Sequence, residues 1–532
     1  MLFNSYEFIF AFLPATLAVF FLLGRGGAHR MALGWLVAAS LFFYGWWNPP
    51  YLLLIGASIG FNFLLGNHLA RGRGGDGARR KPLLVAGVAL NLFSIGYFKY
   101  VNFFVANVNA IAGTDYHLGV IVLPLAISFF TFQQITFLVD SYRGLTREQD
   151  FLNYCLFVTF FPQLIAGPIV HHSEMLPQFA RRAVFRFRAS NLAVGLTLFA
   201  IGLFKKAVMA DGVAAYATPV FAAAETGAPV DFFTAWGGAL AYTFQLYFDF
   251  SGYSDMALGG ARMFGIRLPV NFNSPYKAVN IIDFWRRWHI TLSRFLRDYV
   301  YIELGGNRRG PTRRHVNLML TMLIGGLWHG AGWTFVIWGG LHGLYLIVNH
   351  GWHTMRRRLN GGRLPESSWA GRRCAQAITF LAVVVGWVFF RATSLDGAVA
   401  MLEGMAGLNG VSLPAAVAYR TGALAGALEA IGVTFAPGGG ERFLLTWAWI
   451  AVLLPVALIA PNSLVLMRRY RPALGFSTDS AEPGRALPQR IADAVDGLAW
   501  RPRPRWIVGA ALALGGGVLA LPQVSEFLYY QF

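Results

Sequence analysis

The residue best placed to do chemistry is His329, in the run GGLWHGAGWTFVIWGGLH. It lies within the apolar stretch Leu318 to Val348, about fourteen residues into a candidate membrane span, which at 1.5 Å per residue sets it roughly 20 Å from the cytoplasmic edge. An ionisable group at that depth is costly and by default a functional candidate. Imidazole can act as general base, acid or nucleophile near neutral pH. Gly325, Gly326, Gly330, Gly332, Gly339 and Gly340 remove side-chain bulk around it, so another helix or a substrate chain can come close. Trp328, Trp333 and Trp338 supply apolar walls. The alternative for any buried histidine is a neutral ring bonded to a backbone carbonyl; depth and glycine context weigh against it.

His289 stands in DFWRRWHITLSRFLRDY. Phe284, Trp285, Trp288, Leu292, Phe295 and Leu296 recur there at three- and four-residue spacing, which predicts an amphipathic helix at the membrane interface. Arg286, Arg287 and Arg294 lie between them and could hold the phosphates of a charged donor arriving from the cytoplasm. An equally weighted reading is a basic helix resting on anionic lipid, which accounts for the arginines but not for the Trp and His among them. Asp249 and Asp255, in FQLYFDFSGYSDMALGG, end an otherwise apolar span together with Tyr247, Ser251 and Tyr253. Carboxylates buried without partners are expensive, so these either orient a catalytic histidine or pair with the arginines that follow; pairing is the better reading of Asp249. His342, His350 and His353 have no Cys or carboxylate at ligand spacing, so no metal site is expected. Neither a GxSxG elbow nor a GxxxxGK[ST] loop occurs, which argues against a hydrolase and a P-loop ATPase.

The elements that position these residues must be membrane spans. Of 532 residues 56% are hydrophobic and 13% charged, against roughly 25% charged in a soluble protein. Spans need about 20 apolar residues, and such runs fall near 8–23, 31–47, 50–70, 82–105, 118–139, 190–210, 232–250, 316–333, 334–352, 376–391, 443–461 and 506–522. The expectation is an all-α polytopic membrane protein of about 11–12 transmembrane helices, with re-entrant and interfacial amphipathic helices besides. The formal charge of +19 is concentrated in short clusters between these runs, at Arg71 to Lys81, Arg181 to Arg188, Arg286 to Arg314, Arg356 to Arg373 and Arg468 to Arg471. That is the positive-inside bias of cytoplasmic loops rather than a nucleic-acid surface, and it sets the N-terminus outside. Phe8 to Leu23 reads as a retained first span, not a signal peptide. Cys155 and Cys374 read as inert core thiols. Phe151 to Val170 has basic loops on both sides, including Arg143 and Arg147, and should not cross. Pro162, Gly167 and Pro168 break its helix, so FPQLIAGPIV, with Gln163, is expected to be a re-entrant element lining a cavity. Stretches 361–373, 408–440 and 472–505 read as loops.

FPQLIAGPIV at Phe161, FDFSGYSDMALG at Phe248, FWRRWHITLSRFLRDYVYIELGGNRRG at Phe284 and GLWHGAGWTFVIWGGLHG at Gly326 resemble the membrane-bound O-acyltransferases, most closely the bacterial alginate O-acetylation branch. The likeness runs from the opening LFNSYEFIF to the closing FLYYQF. It implies one membrane domain over 1–532, with peripheral helices in 1–140, a catalytic core in about 150–350 and C-terminal helices in 370–532, around a central tunnel. It implies that His329 is the essential catalytic histidine and His289 its second. Trp285, Arg286, Arg287, Trp288, Arg294, Trp328, Tyr253, Asp255 and Gln163 would receive the donor or line the tunnel. The resemblance further implies acetyl-CoA as co-substrate with no bound cofactor, a polysaccharide acceptor, a periplasmic acetyl-transfer partner protein and a bacterial inner-membrane location. Glu303 stands where many relatives carry proline, which puts the local backbone in question. A sister branch moves D-alanine from a carrier protein towards teichoic acid. A lipid-linked sugar transporter, from another class, would call for internal repeats and mid-span coupling carboxylates, and neither is seen. The orientation is testable: with both native cysteines replaced, a cysteine placed between Arg71 and Lys81 should react only with membrane-permeant thiol reagents, and labelling by an impermeant external reagent would invert the scheme.

Overall fold

The computed structural model describes residues 1–71, 77–146, 148, 150–165, 167–365, 367–476, 497–522 and 528. The middle of the Arg71 to Lys81 cluster, Arg147, most of the 472–505 loop and nearly all of the closing FLYYQF lie outside them. The chain is overwhelmingly helical. Among the described residues six helices are long and apolar enough to cross a membrane: Glu7–Arg25, Tyr51–Arg71, Arg80–Ala112, Ala189–Glu225, Trp369–Arg391 and Gly440–Leu458. Phe232–Met263, Gly310–His329 and Trp333–Leu359 are as long but carry more polar residues.

Contacts divide the chain into two compact units, each assembled from non-consecutive segments: Met1–Phe204, Ser251–Asn271 and Ser463–Pro522 form the first, Lys205–Phe250, Phe272–Asn462 and Gln523–Phe532 the second. In the first unit an aromatic cluster forms the core. Phe8 meets Phe43 edge-on at 5.7 Å, Phe161 at 5.9 Å and Phe199 in a stack at 6.0 Å between centroids. Helix Ala189–Phe204 packs on the C-terminal part of Phe232–Met263 through two glycine pairs. A Cβ on Gly202 would lie 2.5 Å from the Gly252 carbonyl oxygen, and one on Gly259 would lie 2.5 Å from that of Gly195. In both helices the two glycines are seven residues apart and run in opposite directions, so the backbones touch along one antiparallel seam. Small residues permit this approach, the main way membrane helices gain contact.

The segment Phe151 to Val170 is broken where its sequence says it must be. Helix Phe151–Thr159, capped by Asp150, stops at Phe160 and is followed by the single turn Phe161–Leu164. Both freed backbone groups are satisfied: Ser40 Oγ accepts from Phe161 N at 3.1 Å, and Gln163 Nε2 donates to the Phe157 carbonyl at 2.5 Å. Ala166 of this motif is outside the described residues.

Three expectations need correcting. The span expected over 118–139 begins only at Ile127, because Pro124 and the left-handed Ala126 keep the preceding residues out of the helix. The loop expected over 408–440 holds two short helices, Ala415–Thr421 and Ala423–Ala430, and a parallel strand pair, Val411–Pro414 with Val433–Ala436. Cys374 is exposed rather than in the core, since the first turns of Trp369–Arg391 are exposed on all sides.

The glycine seam yields a sign test. Gly to Ala in a helix ordinarily stabilises by about 1 kcal/mol, and Gly34→Ala, with nothing within 4 Å of the added Cβ, should be neutral or raise the unfolding midpoint of the detergent-purified protein. Gly202→Ala should instead lower it, since overpacking costs on the order of 1–3 kcal/mol of stability; an unchanged midpoint would mean the seam gives way at no cost.

Candidate active site

In the second unit, Pro311 opens the helix Gly310–His329, and the extended Gly330 and Gly332 separate it from Trp333–Leu359. The two helices fold back on each other so tightly that a Cβ on Gly326 would overlap the Phe335 carbonyl oxygen and one on Gly339 that of Met322. The glycines expected to admit a substrate chain are thus partly used to close this hairpin. Its tip holds His329 as the last residue of its helix, where continuous span was expected to run on to 333.

His329 is 8% exposed. Its ring is walled by Trp328 at 4.9 Å, Trp338 at 5.1 Å and Phe390 at 5.1 Å between centroids, with His289 at 6.4 Å. Phe390 and Trp387 come from Trp369–Arg391, which Ser368 starts by accepting from Gly371 N. Behind this wall Trp338 stacks on Trp387 at 5.8 Å, and Tyr276 ties the layer together: its hydroxyl donates to the Thr243 carbonyl at 2.8 Å and accepts from Trp387 Nε1 at 3.1 Å.

The stretch read as one amphipathic helix is two short ones, Ile281–Trp285 and Ile290–Phe295, hinged at His289. His289 has φ 41° and ψ 54°, a left-handed conformation that costs a residue with a Cβ on the order of 1–2 kcal/mol. The hinge turns its ring inward, 3% exposed, against Trp328 at 5.9 Å and Phe272 at 6.0 Å. Burial pushes the imidazole down to about 3, so it is neutral at physiological pH. Its Nδ1 has no partner among the described residues, and neither do the buried Nε1 atoms of Trp285 and Trp338 or the two ring nitrogens of His342. His342 is fully buried, 4.8 Å from Trp338 and 5.2 Å from Trp285 between centroids. Since buried polar groups are nearly always paired, these nitrogens, set among aromatic rings, are candidates to receive the polar atoms of a substrate.

The remaining expected residues are placed as follows. Trp288 is buried and packs on Trp387 at 4.8 Å. Arg287 is committed to Asp283, Nε to Oδ1 at 2.8 Å, whereas Arg286 is exposed and has no carboxylate partner among the described residues. Arg294 is half-buried. Gln163, Tyr253 and Asp255 belong to the first unit. Tyr253 stacks on Phe3 at 4.7 Å, and Asp255 accepts from Ser463 Oγ at 2.8 Å.

Two clusters escaped sequence reasoning. Asp249 pairs not with the following arginines but with Lys206, at 2.5 Å, and Lys206 also reaches Asp211 at 2.7 Å. Lys206 is fully buried, and a lysine at the end of an apolar run was a signal available in the sequence. In the first unit Asp140, His171 and His172 bring one potential metal-ligand atom each within 4.8 Å of one another. Asp140 Oδ2 lies 2.8 Å from His171 Nε2 and 2.9 Å from His172 Nε2, so the carboxylate can accept from both rings. The double histidine directly after FPQLIAGPIV was the cue. For the lysine cluster, Lys206→Met should destabilise the fold by on the order of 3–5 kcal/mol, the cost of leaving a buried charge unpaired; a native-like unfolding midpoint would show that water reaches the carboxylates.

Similarity to known proteins identifies the family. Residues 141–386 match the membrane-bound O-acyltransferase family. The chain is 46% identical over 439 residues to the peptidoglycan O-acetyltransferase of Helicobacter pylori, covering 78% of this chain and 81% of that one. It is 43% identical over 417 residues to the probable alginate O-acetylase AlgI of Pseudomonas aeruginosa, covering 76% and 75%. A teichoic acid D-alanyltransferase of Streptococcus thermophilus is 27% identical over 283 residues, half of this chain. With 46% identity over more than three quarters of both chains, the protein belongs to the membrane-bound O-acyltransferase family and is a multi-pass membrane enzyme.

Proposed function

We propose that the protein moves an acetyl group from cytoplasmic acetyl-CoA across the bacterial inner membrane for O-acetylation of an exported or cell-surface polysaccharide. One observation carries this reading: two buried histidine rings 6.4 Å apart in an aromatic cluster that also holds nitrogens with no partner among the described residues. In the proposed step the accepting hydroxyl gives its proton to His329 as its oxygen bonds to the thioester carbonyl carbon. The C–S bond then breaks and the proton passes to the leaving thiolate. His289, held neutral by burial, suits hydrogen-bond donation to the carbonyl oxygen better than proton removal, since a neutral imidazole polarises without carrying charge. The tryptophan walls exclude the water that would hydrolyse the thioester.

Acetyl transfer is favoured over D-alanyl transfer because the more similar relatives, which this chain matches over about three quarters of its length, bear O-acetylase names. Alginate and peptidoglycan are the acceptors named for them, and a periplasmic partner protein would pass the acetyl group on. His329→Ala should cut the acetyl content of exported polysaccharide by about 100-fold or more at an unchanged level of inserted protein; unchanged acetylation would remove His329 from the chemistry. Asparagine tolerates the left-handed backbone, so His289→Asn should keep the unfolding midpoint while transfer falls by on the order of 100-fold. Wild-type turnover in that variant would confine His289 to a structural role.

A further inference from the structure

We propose that the first unit carries a binding site for a phosphate ester, in a cavity of about 530 Å³ lined by Arg181, Arg188, Arg262 and Arg267. The volume falls within the range of small-molecule sites, roughly 300–1,000 Å³. The inference rests on the first unit alone and stands whatever the acetyl donor is.

Four guanidinium groups face this one cavity, and among the described residues none of them has a carboxylate within ion-pair distance. Glu174 also lines the cavity, but its Oε2 accepts from His171 N at 3.0 Å, closing the capping box of His172–Phe179. Arg262 is the strongest indication. It is 7% exposed, it sits in the last turn of Phe232–Met263, its Nη2 donates to the Tyr470 carbonyl at a long 3.4 Å, and its buried Nε has no partner among the described residues. A buried cation normally has an anion or a full set of acceptors. Beside it, burial and then the charges of Arg471 and Arg181 push the Arg267 guanidinium below its ordinary value, so these like charges are held together at a cost.

The framework that holds them is rigid. Gln178, itself buried, donates to the Glu174 and Arg267 carbonyls at 2.8 and 2.9 Å and accepts from Arg267 N at 2.9 Å. This fixes the Arg267 backbone against the helix His172–Phe179. Ser190 and Asn191, in the first turn of the sixteen-residue helix Ala189–Phe204, line the same cavity. Their turn presents the positive end of a helix dipole and neutral donors to the same space. Arginine forks, a helix N-terminus and small polar donors together match the oxygens of a phosphate, which guanidinium binds in bidentate fashion. Two sources share that chemistry: the headgroup of an anionic phospholipid and a water-soluble phosphate ester.

The test uses the full chain in uncharged detergent and reads the thermal unfolding midpoint. One series adds inorganic pyrophosphate; the other adds phosphatidylglycerol, with phosphatidylcholine as control. At least one of the first two should raise the midpoint by several degrees while phosphatidylcholine does not. A response to phosphatidylglycerol alone assigns the site to lipid, and a response to pyrophosphate assigns it to soluble esters. The shift should vanish in Arg188→Gln/Arg267→Gln, whose midpoint without ligand should equal or exceed the parent's because repulsion is relieved. It should shrink in Arg181→Gln and persist in Arg357→Gln/Arg358→Gln, which alters exposed arginines of the second unit. No shift with either probe, or an equal shift in the Arg188/Arg267 variant, would overturn the proposal.

Discussion

Inside a bilayer, lipid tails are as apolar as leucine, so helices gain little by burying apolar faces against each other and must hold by close contact. Both units depend on that constraint and meet it with glycine. In the first, Gly195 and Gly202 lie against Gly259 and Gly252; in the second, Gly326 and Gly339 bring the backbones of Gly310–His329 and Trp333–Leu359 together. The second contact has a direct chemical effect. Because the hairpin is closed at its glycines, Trp338 on one arm faces His329 on the other across 5.1 Å, and the aromatic wall is built by the same contact that holds the helices.

Several polar groups of the interior are paired between distant parts of the chain. The helix break at Phe160 is answered by Ser40 and Gln163, the Tyr276 hydroxyl has both a donor and an acceptor, and Lys206 is given two carboxylates. Around His329 the nitrogens of His289, His342, Trp285 and Trp338 are buried with no partner among the described residues. Such a group of nitrogens set among aromatic rings is suited to polar substrate atoms. The strain at His289 belongs to the same economy: a left-handed residue here turns the ring from a helix face towards His329.

Much of this was legible in the sequence. His329 stood out as an ionisable residue in an apolar run, His289 by the Trp and Arg around it, and the break after Thr159 by Pro162, Gly167 and Pro168. These signals are local. What could not be read depends on residues distant in the chain. Asp249 finds Lys206 and Asp140 finds His171 and His172 only once helices pack. The glycines near His329 were visible, yet the sequence could not say whether a substrate or a neighbouring backbone fills the space they leave; in the hairpin it is backbone. The division of 284–296 at His289 was hidden because the apolar spacing runs through the hinge unbroken, and only the backbone angle reveals it.

The Lys206 cluster has a consequence for how the protein is made. Translation delivers the helix Ala189–Glu225 to the membrane before Asp249 exists, and an unpaired lysine such as Lys206 at the centre of an entering helix costs about 2.5–3.5 kcal/mol. Asp211 follows within the same helix and bonds Lys206 at 2.7 Å, so the two charges can enter as one neutral unit. Asp249 then arrives on the next long helix and finds a partner already waiting. The ion cluster therefore gives the inserting chain an order of assembly, with the lysine acting as the docking point by which a later helix recognises an earlier one.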